Sequence, residues 1–236
     1  MTPQESLFDQ WDRVVGPWVA SLMKEGIEGA ILAPLANEPA AAMTIVGRVR
    51  SSDDCYARKI AARLAGYLGP GAPPEILDEL LEAERARHLA PRTSMETFDT
   101  QSVVEDVVFA ANRWCRHPQR KPAGLAVLRK VVERTLSGEY WNTSSYAMTG
   151  LVRHAPDEAT DLLARFCSFA EGAPPDHPSR PSLSQEKSFA QALKAGKCDA
   201  IEKSLDAADV TAAAVTWDEE AEAALAQFMS AARRIQ

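Results

Sequence analysis

The chain has 236 residues, of which 46% are hydrophobic and 25% are charged. This composition is typical of a folded globular protein and excludes an intrinsically disordered one. The formal net charge of −7 favours solubility and argues against general nucleic-acid binding, which normally needs a basic surface. Ala, Leu, Glu and Arg are abundant, whereas β-branched residues rarely alternate with polar ones, so we expect an all-α fold.

The sequence also bears on the compartment. No apolar run approaches the roughly 18 to 20 residues of a membrane span. The N-terminus lacks the basic segment and apolar core of a signal peptide. We therefore expect a cytoplasmic protein without membrane partners. In a reducing compartment its widely spaced cysteines should be free thiols: Cys55, Cys115, Cys167 and Cys198.

The first helix is predicted to begin with a capping box, in which Thr2 is the N-cap and Glu5 is the third helical residue. Gly16 and Pro17 should bend or interrupt this helix, because proline lacks a backbone N–H. Gly26 should end it. Residues 27–50 are predicted as two further short helices, with a strand over residues 43–46 as the alternative.

Residues 51–54 should cap the next helix, which extends to about residue 68. Its basic side chains are expected to point away from the apolar face: Arg58, Lys59 and Arg63. A partner helix is predicted over residues 75–88. Its acidic side chains are expected on a solvated outer face: Asp78, Glu79, Glu82 and Glu84. Residues 90–99 are predicted to be a polar connector.

The stretch from Ser102 to Leu136 is predicted to organise the fold. Apolar residues recur there at intervals of three and four over two segments, which is typical of two amphipathic helices. They are Val104, Val107, Val108 and Ala111, and then Leu125, Leu128, Val132 and Leu136. Pro118 and Pro122 lie between the two segments and predict a sharp turn.

The C-terminal third contains the best internal boundary. Residues 171–184 are rich in Pro, Gly and Ser and are predicted to be the longest loop. We expect a single all-helical domain over residues 1–236 that this loop could divide. Two further capping boxes are predicted, Ser182 with Gln185 and Thr216 with Glu219, and the second should start the terminal helix.

The predicted helices form pairs, and the turns within these pairs lie near Pro73, Pro118 and Pro156, separated by 45 and 38 residues. In this spacing, over residues 51–170, the chain resembles HEAT and armadillo-like helical repeat proteins. The resemblance implies paired antiparallel helices stacked as a short α-solenoid. An irregular orthogonal helical bundle is the alternative.

A dense run of positive charge is the most specific feature of the sequence. Seven cations and the single acid Glu133 occur between residues 113 and 134. The cations are Arg113, Arg116, Arg120, Lys121, Arg129, Lys130 and Arg134. Because guanidinium groups bind phosphate and carboxylate, this basic run is a candidate binding site for an acidic partner. The alternative is a helix face whose charges pair with acids on neighbouring helices.

Two tryptophans accompany the basic run. Trp141 follows a helix in a loop-like stretch and is a candidate binding residue beside the arginines. Trp114 lies on an apolar helix face and is expected in the core. We find no spacing of His and Cys typical of a metal site and no motif for a nucleophile or for phosphate. We therefore expect no metal and no cofactor.

Two functional hypotheses follow. The first is a cytoplasmic helical-repeat protein that acts by binding another macromolecule, most readily a protein, for example an effector or toxin that it neutralises. The second is a HEAT-like enzyme acting on nucleic acid, such as a DNA glycosylase for alkylated bases. The acidic isoelectric point of about 5.2 disfavours the second. The sequence leaves open whether the protein is an enzyme and favours a non-enzymatic role.

Overall fold

The computed structural model describes residues 2–90, 94–139, 143–172, 191–192, 195–196, 215 and 217–235. These residues form an all-α structure, and no strand occurs among them, so the prediction of an all-α fold is confirmed. The first helices are α1 (Pro3–Gln10), a π-helical turn (Trp11–Val15), α2 (Gly16–Glu25), α3 (Gly29–Ala36) and α4 (Pro39–Val49). There follow α5 (Cys55–Leu68), a 3-10 turn (Gly69–Gly71), α6 (Ile76–Leu89), α7 (Ser94–Trp114), α8 (Lys121–Leu136), α9 (Ser144–His154), α10 (Pro156–Gly172) and α11 (Glu219–Ala232).

Several helix ends agree with the predicted caps. The Thr2 hydroxyl accepts a hydrogen bond from the backbone N–H of Glu5, and the Glu5 carboxylate accepts one from the N–H of Thr2. Asp54 caps α5 by accepting a hydrogen bond from the N–H of Tyr56 at 3.0 Å. Gly26 adopts a φ of 73° and ends α2, as predicted for a left-handed cap.

The chain passes from α1 to α2 through the π-helical turn. Pro17 has no N–H, and in an α-helix its ring would clash with the carbonyl of Arg13. The helix instead widens just before the proline, and the N–H of Gly16 donates to the carbonyl of Trp11, five residues back. The predicted interruption is therefore a local widening of a continuous helix.

Other predictions need correction. The alternative of a strand over residues 43–46 is wrong, because α4 covers them. The predicted connector over residues 90–99 is too long, because α7 already begins at Ser94. Serine and acidic residues are favourable in the first turn of a helix, so polarity alone did not distinguish this segment from a loop.

Helix α7 lies at the centre and packs against α5, α6, α8 and α9. Two hydrogen bonds join α5 to α7: Lys59 binds Ser102 at 3.0 Å, and Arg63 binds Asp106 at 2.9 Å. From the first to the second, the residue numbers increase by four on both helices. The two helices therefore run parallel. Helix α6 lies between them in the chain and runs antiparallel to α5, because Arg58 binds Glu84 while the earlier residue Asp53 lies near the later residue Arg87.

The same register relation recurs between α6 and α8. Lys130 on α8 binds Asp78 on α6, and one turn further Arg134 binds Glu82. These two helices also run parallel. Next to them, the rings of Phe109 on α7 and Tyr146 on α9 lie 5.3 Å apart, edge to face.

One continuous apolar core joins the described helices. It extends from Leu7 on α1 to Phe228 and Ala232 on α11. The rings of Trp11 and Phe228 lie 5.9 Å apart, which ties the terminal helix to the π-helical turn. None of the described helices has the length and apolar character needed to cross a membrane.

The predicted boundary over residues 171–184 falls almost entirely outside the described residues, as does the capping box of Ser182 and Gln185. Thr216 is also outside them. The N-cap of α11 is Asp218 and not Thr216, because its carboxylate accepts the N–H of Ala221 at 2.8 Å.

Candidate interaction surfaces

Two cations of the basic run join α8 to α6. Lys130 donates to Asp78 and, at 3.0 Å, to Glu82, and Arg134 donates to the same Glu82 carboxylate. Burial alone would raise the pKa of Glu82, but the hydrogen bonds from Lys130 and Arg134 outweigh it and hold that pKa below its ordinary value. Lys130 and Arg134 therefore connect α8 to α6.

Two further arginines of the run also contact neighbouring elements. Arg129 on α8 binds Glu158 on α10 at 2.8 Å, in an exposed pair. Arg120, in the turn between α7 and α8, donates to the carbonyls of Pro70 at 2.8 Å and of Gly69 at 3.2 Å. It thereby satisfies carbonyl groups at the 3-10 turn that ends the α5 segment.

The remaining candidates lie around the α7–α8 turn. The guanidinium of Arg113 lies 3.7 Å from the centre of the Tyr67 ring. Arg116 is exposed, and Lys121 is half-buried at the start of α8. Trp141 lies outside the described residues. The structure thus places the basic run on the end of α7, in the α7–α8 turn and on α8, and its cations contact α6, α10 and the 3-10 turn after α5. Binding of a partner by this run stays a prediction.

Trp114 is fully buried, and its indole N–H donates to the carbonyl of Ala65 on α5 at 2.9 Å. The prediction that it belongs to the core is confirmed. Because the Trp114 ring is fully buried, no base can stack on it. Trp114 is therefore not a binding residue for the nucleic-acid hypothesis.

The interior contains an ion pair that contradicts two predictions. Arg58 and Glu84 were expected on outer faces, but their side chains are only 4% and 2% exposed, and Nε donates to Oε1 at 2.8 Å. Helical periodicity could have revealed both positions. Arg58 shares a stripe with Ala61 and Ala65, and Glu84 continues the stripe that starts at Leu77 and Leu80.

A second buried cluster joins α3, α5 and α7. Arg63 binds both Glu28 and Asp106, and Lys59 approaches Asp106 at 3.6 Å. Burial raises the pKa of Asp106, and the positive charges of Arg63 and Lys59 oppose that rise. Glu105 lies beside it, and burial and the Asp106 charge raise its pKa too.

This cluster does not form a metal centre. In the part of the chain that is described, no group of three or more His, Cys, Asp or Glu residues is arranged to hold a metal ion. The described cysteines are free thiols, as predicted: Cys55, Cys115 and Cys167. Burial raises the pKa of Cys55 to about 11 and that of Cys115 to about 12, so neither is a reactive thiolate at neutral pH.

Sequence reasoning missed an exposed apolar surface. Every exposed large hydrophobic side chain of the described residues belongs to one set, which we name the apolar end: Tyr56, Leu89, Met95 and Phe98. They are 41%, 58%, 71% and 66% exposed, respectively. Met95 and Phe98 fall in the segment that was predicted to be a polar connector, which is why they were not singled out.

Contacts between the helices place these residues at the same end of the α5–α6–α7 unit. The Cys55 thiol lies 3.7 Å from the carbonyl of Asp99, which joins the first turn of α5 to the first turns of α7. Arg87, in the last turn of α6, lies 3.6 Å from Asp53, just before α5. The starts of α5 and α7 and the end of α6 are therefore neighbours.

A separate cleft of about 490 Å³ lies beside the π-helical turn. Its walls come from that turn, from α2, from the end of α4 and from the start of α5. Comparisons of the chain with protein-family models, with curated proteins and with solved structures found no match. Function is therefore inferred from these surfaces alone.

Proposed function

We propose that this protein is a cytoplasmic α-solenoid-like module that binds another protein through its apolar end. One observation carries the proposal: the exposed large hydrophobic side chains of the described chain are gathered at one end of the α5–α6–α7 unit. Single exposed hydrophobic residues are common on protein surfaces, whereas grouped ones are typical of interaction sites.

The side chains of the apolar end suit a binding surface. Phe98 offers a rigid aromatic anchor, and Met95 is flexible enough to fit an irregular partner surface. Moving a fully exposed side chain of this size out of water contributes about 1.5–3 kcal/mol, and these four, already partly buried, each contribute a part of that. Four such groups at one end would therefore contribute substantially to an affinity for a partner with a matching apolar surface.

The charges around Tyr56 suggest what else the partner presents. The ammonium groups of Lys24 and Lys59 each lie 5.9 Å from the centre of the Tyr56 ring. Lys59 already faces Asp106, while Lys24 is exposed on the last turn of α2. A protein segment that carries apolar residues together with a carboxylate would complement this end.

The helix arrangement supports the solenoid part of the proposal. Helix α5 runs parallel to α7, and α6 runs parallel to α8. Helices have these directions when similar helix hairpins stack side by side. The HEAT and armadillo-like proteins that the sequence resembles use such stacks as binding surfaces. Lys130, Arg134 and Arg129 then act mainly as links between hairpins.

The test compares two surfaces in the full chain. The double variant Met95→Ser/Phe98→Ser removes the two most exposed side chains of the apolar end, and Arg116→Ala/Lys121→Ala changes two side chains of the basic run. Tagged proteins are used for quantitative capture from a lysate of the source cells, after circular dichroism has shown that each is folded. We expect the first variant alone to lose a partner that the wild type retains.

The opposite outcome would contradict the proposal. If the apolar variant retains every partner and the basic variant loses one, the binding surface is the basic run. A titration with duplex DNA at low salt tests the nucleic-acid alternative, since such binding weakens steeply as salt increases. We expect no salt-sensitive binding, because several cations of the run already bind carboxylates.

A further inference from the structure

We propose that the cleft beside the π-helical turn is a binding site for a small molecule that has an apolar body and a cationic amine. This site borders the apolar end, since Asp54 and Ala57 flank Tyr56 in the chain, but it does not depend on the function proposed above. The inference rests on how the π-helical turn shapes the cleft, on its size, and on the charges at its rim.

The cleft follows from a local feature of the sequence. The widened turn before Pro17 brings the backbone of residues 11–16 out of α-helical register. Gly16 lets the Trp11 indole pack against this backbone, since a Cβ there would lie only 3.1 Å from the indole nitrogen. π-Helical turns are rare, and they occur frequently at functional sites.

The dimensions suit a small ligand. At about 490 Å³, the cleft falls within the range of roughly 300–1,000 Å³ that small-molecule sites occupy. Pro17 and Ala20 on α2 line the cleft, together with Val49 on α4 and Ala57 and Ile60 on α5. These apolar side chains offer a surface on which a hydrocarbon body can lie.

The rim sets the charge of the ligand. Asp12 and Arg48 line the cleft and neutralise one another through a contact at 2.8 Å. Asp54 also lines it, and one of its carboxylate oxygens accepts the N–H of Tyr56. The rim therefore carries one carboxylate in excess, and Ser51 and Ser52 add hydroxyl groups. A cationic amine fits this rim better than a neutral or anionic group does.

The test uses three probes of similar shape: phenethylamine, phenethyl alcohol and phenylacetate. Binding to the full chain is measured by saturation-transfer NMR and by titration of backbone amide shifts. We expect the amine to bind roughly tenfold more tightly than phenylacetate, with shifts at residues around the π-helical turn.

Variants assign the binding to the cleft. Ala57→Met and Ala20→Met fill it from α5 and from α2, and each should abolish binding. Ala86→Met, at an exposed position on α6, is the matched control and should bind as the wild type does. Asp54→Asn keeps a capping side chain but removes the excess charge, so the preference for the amine should disappear, whereas Asp53→Asn should retain it.

The inference is overturned if no probe binds to the wild type, or if the filled variants bind as well as Ala86→Met does. Equal binding of the amine and the acid to the wild type would overturn the assignment of a cationic ligand. Because no protein partner is used, these outcomes are independent of the test of the apolar end.

Discussion

Arg58 on α5 and Glu84 on α6 form an ion pair in the interior of the protein, with Nε donating to Oε1 at 2.8 Å. The same guanidinium donates to the carbonyls of Ser52 at 3.0 Å and of Asp53 at 2.9 Å. Arg58 therefore holds together α5, α6 and the turn that precedes α5. This turn also borders the apolar end, so the pair positions a surface on which the proposed function depends.

Breaking this pair on one side should strongly destabilise the protein. Arg58→Met leaves the Glu84 carboxylate buried without its main partner, which costs about 3–5 kcal/mol. The double variant Arg58→Met/Glu84→Met removes both charges and should be more stable than the single one. Urea denaturation, monitored by circular dichroism, measures the free energy of unfolding of both variants.

The exposed pair of Arg50 and Glu79 is the matched control. Its side chains are 44% and 52% exposed, with a contact at 2.7 Å, so Arg50→Met should cost only about 0–1 kcal/mol. If Arg58→Met and Arg50→Met lowered the free energy of unfolding equally, the interior pair would not be what holds α5, α6 and the turn before α5 together.

Two helical glycines should respond in opposite directions to substitution by alanine. A Cβ at Gly124 on α8 would lie 2.7 Å from the carbonyl oxygen of Ala111 on α7, so Gly124→Ala should destabilise by about 1–3 kcal/mol. A Cβ at Gly47 on α4 would meet no atom within 4 Å, so Gly47→Ala should stabilise by about 0.5–1 kcal/mol. Thermal unfolding of both variants would reveal the difference, and stabilisation by Gly124→Ala would contradict the close approach of α7 and α8.

The link between α6 and α8 predicts a dependence on pH. The pKa of Glu82 is lowered in the folded state, so its charge stabilises the fold above the unfolded pKa and loses this effect as pH falls through the folded pKa. Glu82→Gln should therefore be less stable than the wild type at pH 7, and the difference should shrink below about pH 4.

The control for this measurement is Ala126→Gln, at an exposed position on α8 where neither side chain titrates. Its free energy of unfolding should differ from that of the wild type by an amount that changes little over the same pH range. If the Glu82→Gln difference also stayed constant with pH, the hydrogen bonds from Lys130 and Arg134 would not stabilise the charged carboxylate.

The extent to which the sequence predicts this structure depends on the kind of feature. Helices over α5, α6 and α8 and the caps at Thr2 and Asp54 follow from local periodicity and short-range hydrogen bonds. Periodicity places Arg58 and Glu84 on the apolar stripes of their helices, but their pairing joins residues 26 apart in the chain and cannot be read from either helix alone. The apolar end was missed for a related reason: exposure of Phe98 depends on which helix faces neighbouring helices cover, and periodicity within one helix does not reveal that.

The thiol of Cys115 should resist alkylation in the folded protein. It is only 5% exposed, and burial raises its pKa to about 12, so the reactive thiolate is scarce at pH 8. Iodoacetamide labelling with peptide mass spectrometry should show modification of Cys115 only after denaturation in urea. Labelling of the native protein at the rate of a free thiol would contradict the packing of Cys115 between α7 and α8.

The central claim, binding of a protein through the apolar end, is tested most directly by site-specific photocrosslinking. A benzophenone side chain is placed at Phe98 and, in a second protein, at Lys121 in the basic run, and both full chains are irradiated in the source cells. We predict a discrete protein adduct from position 98, and no adduct with the same protein from position 121. An adduct from position 121 alone would contradict the claim and move the binding surface to the basic run.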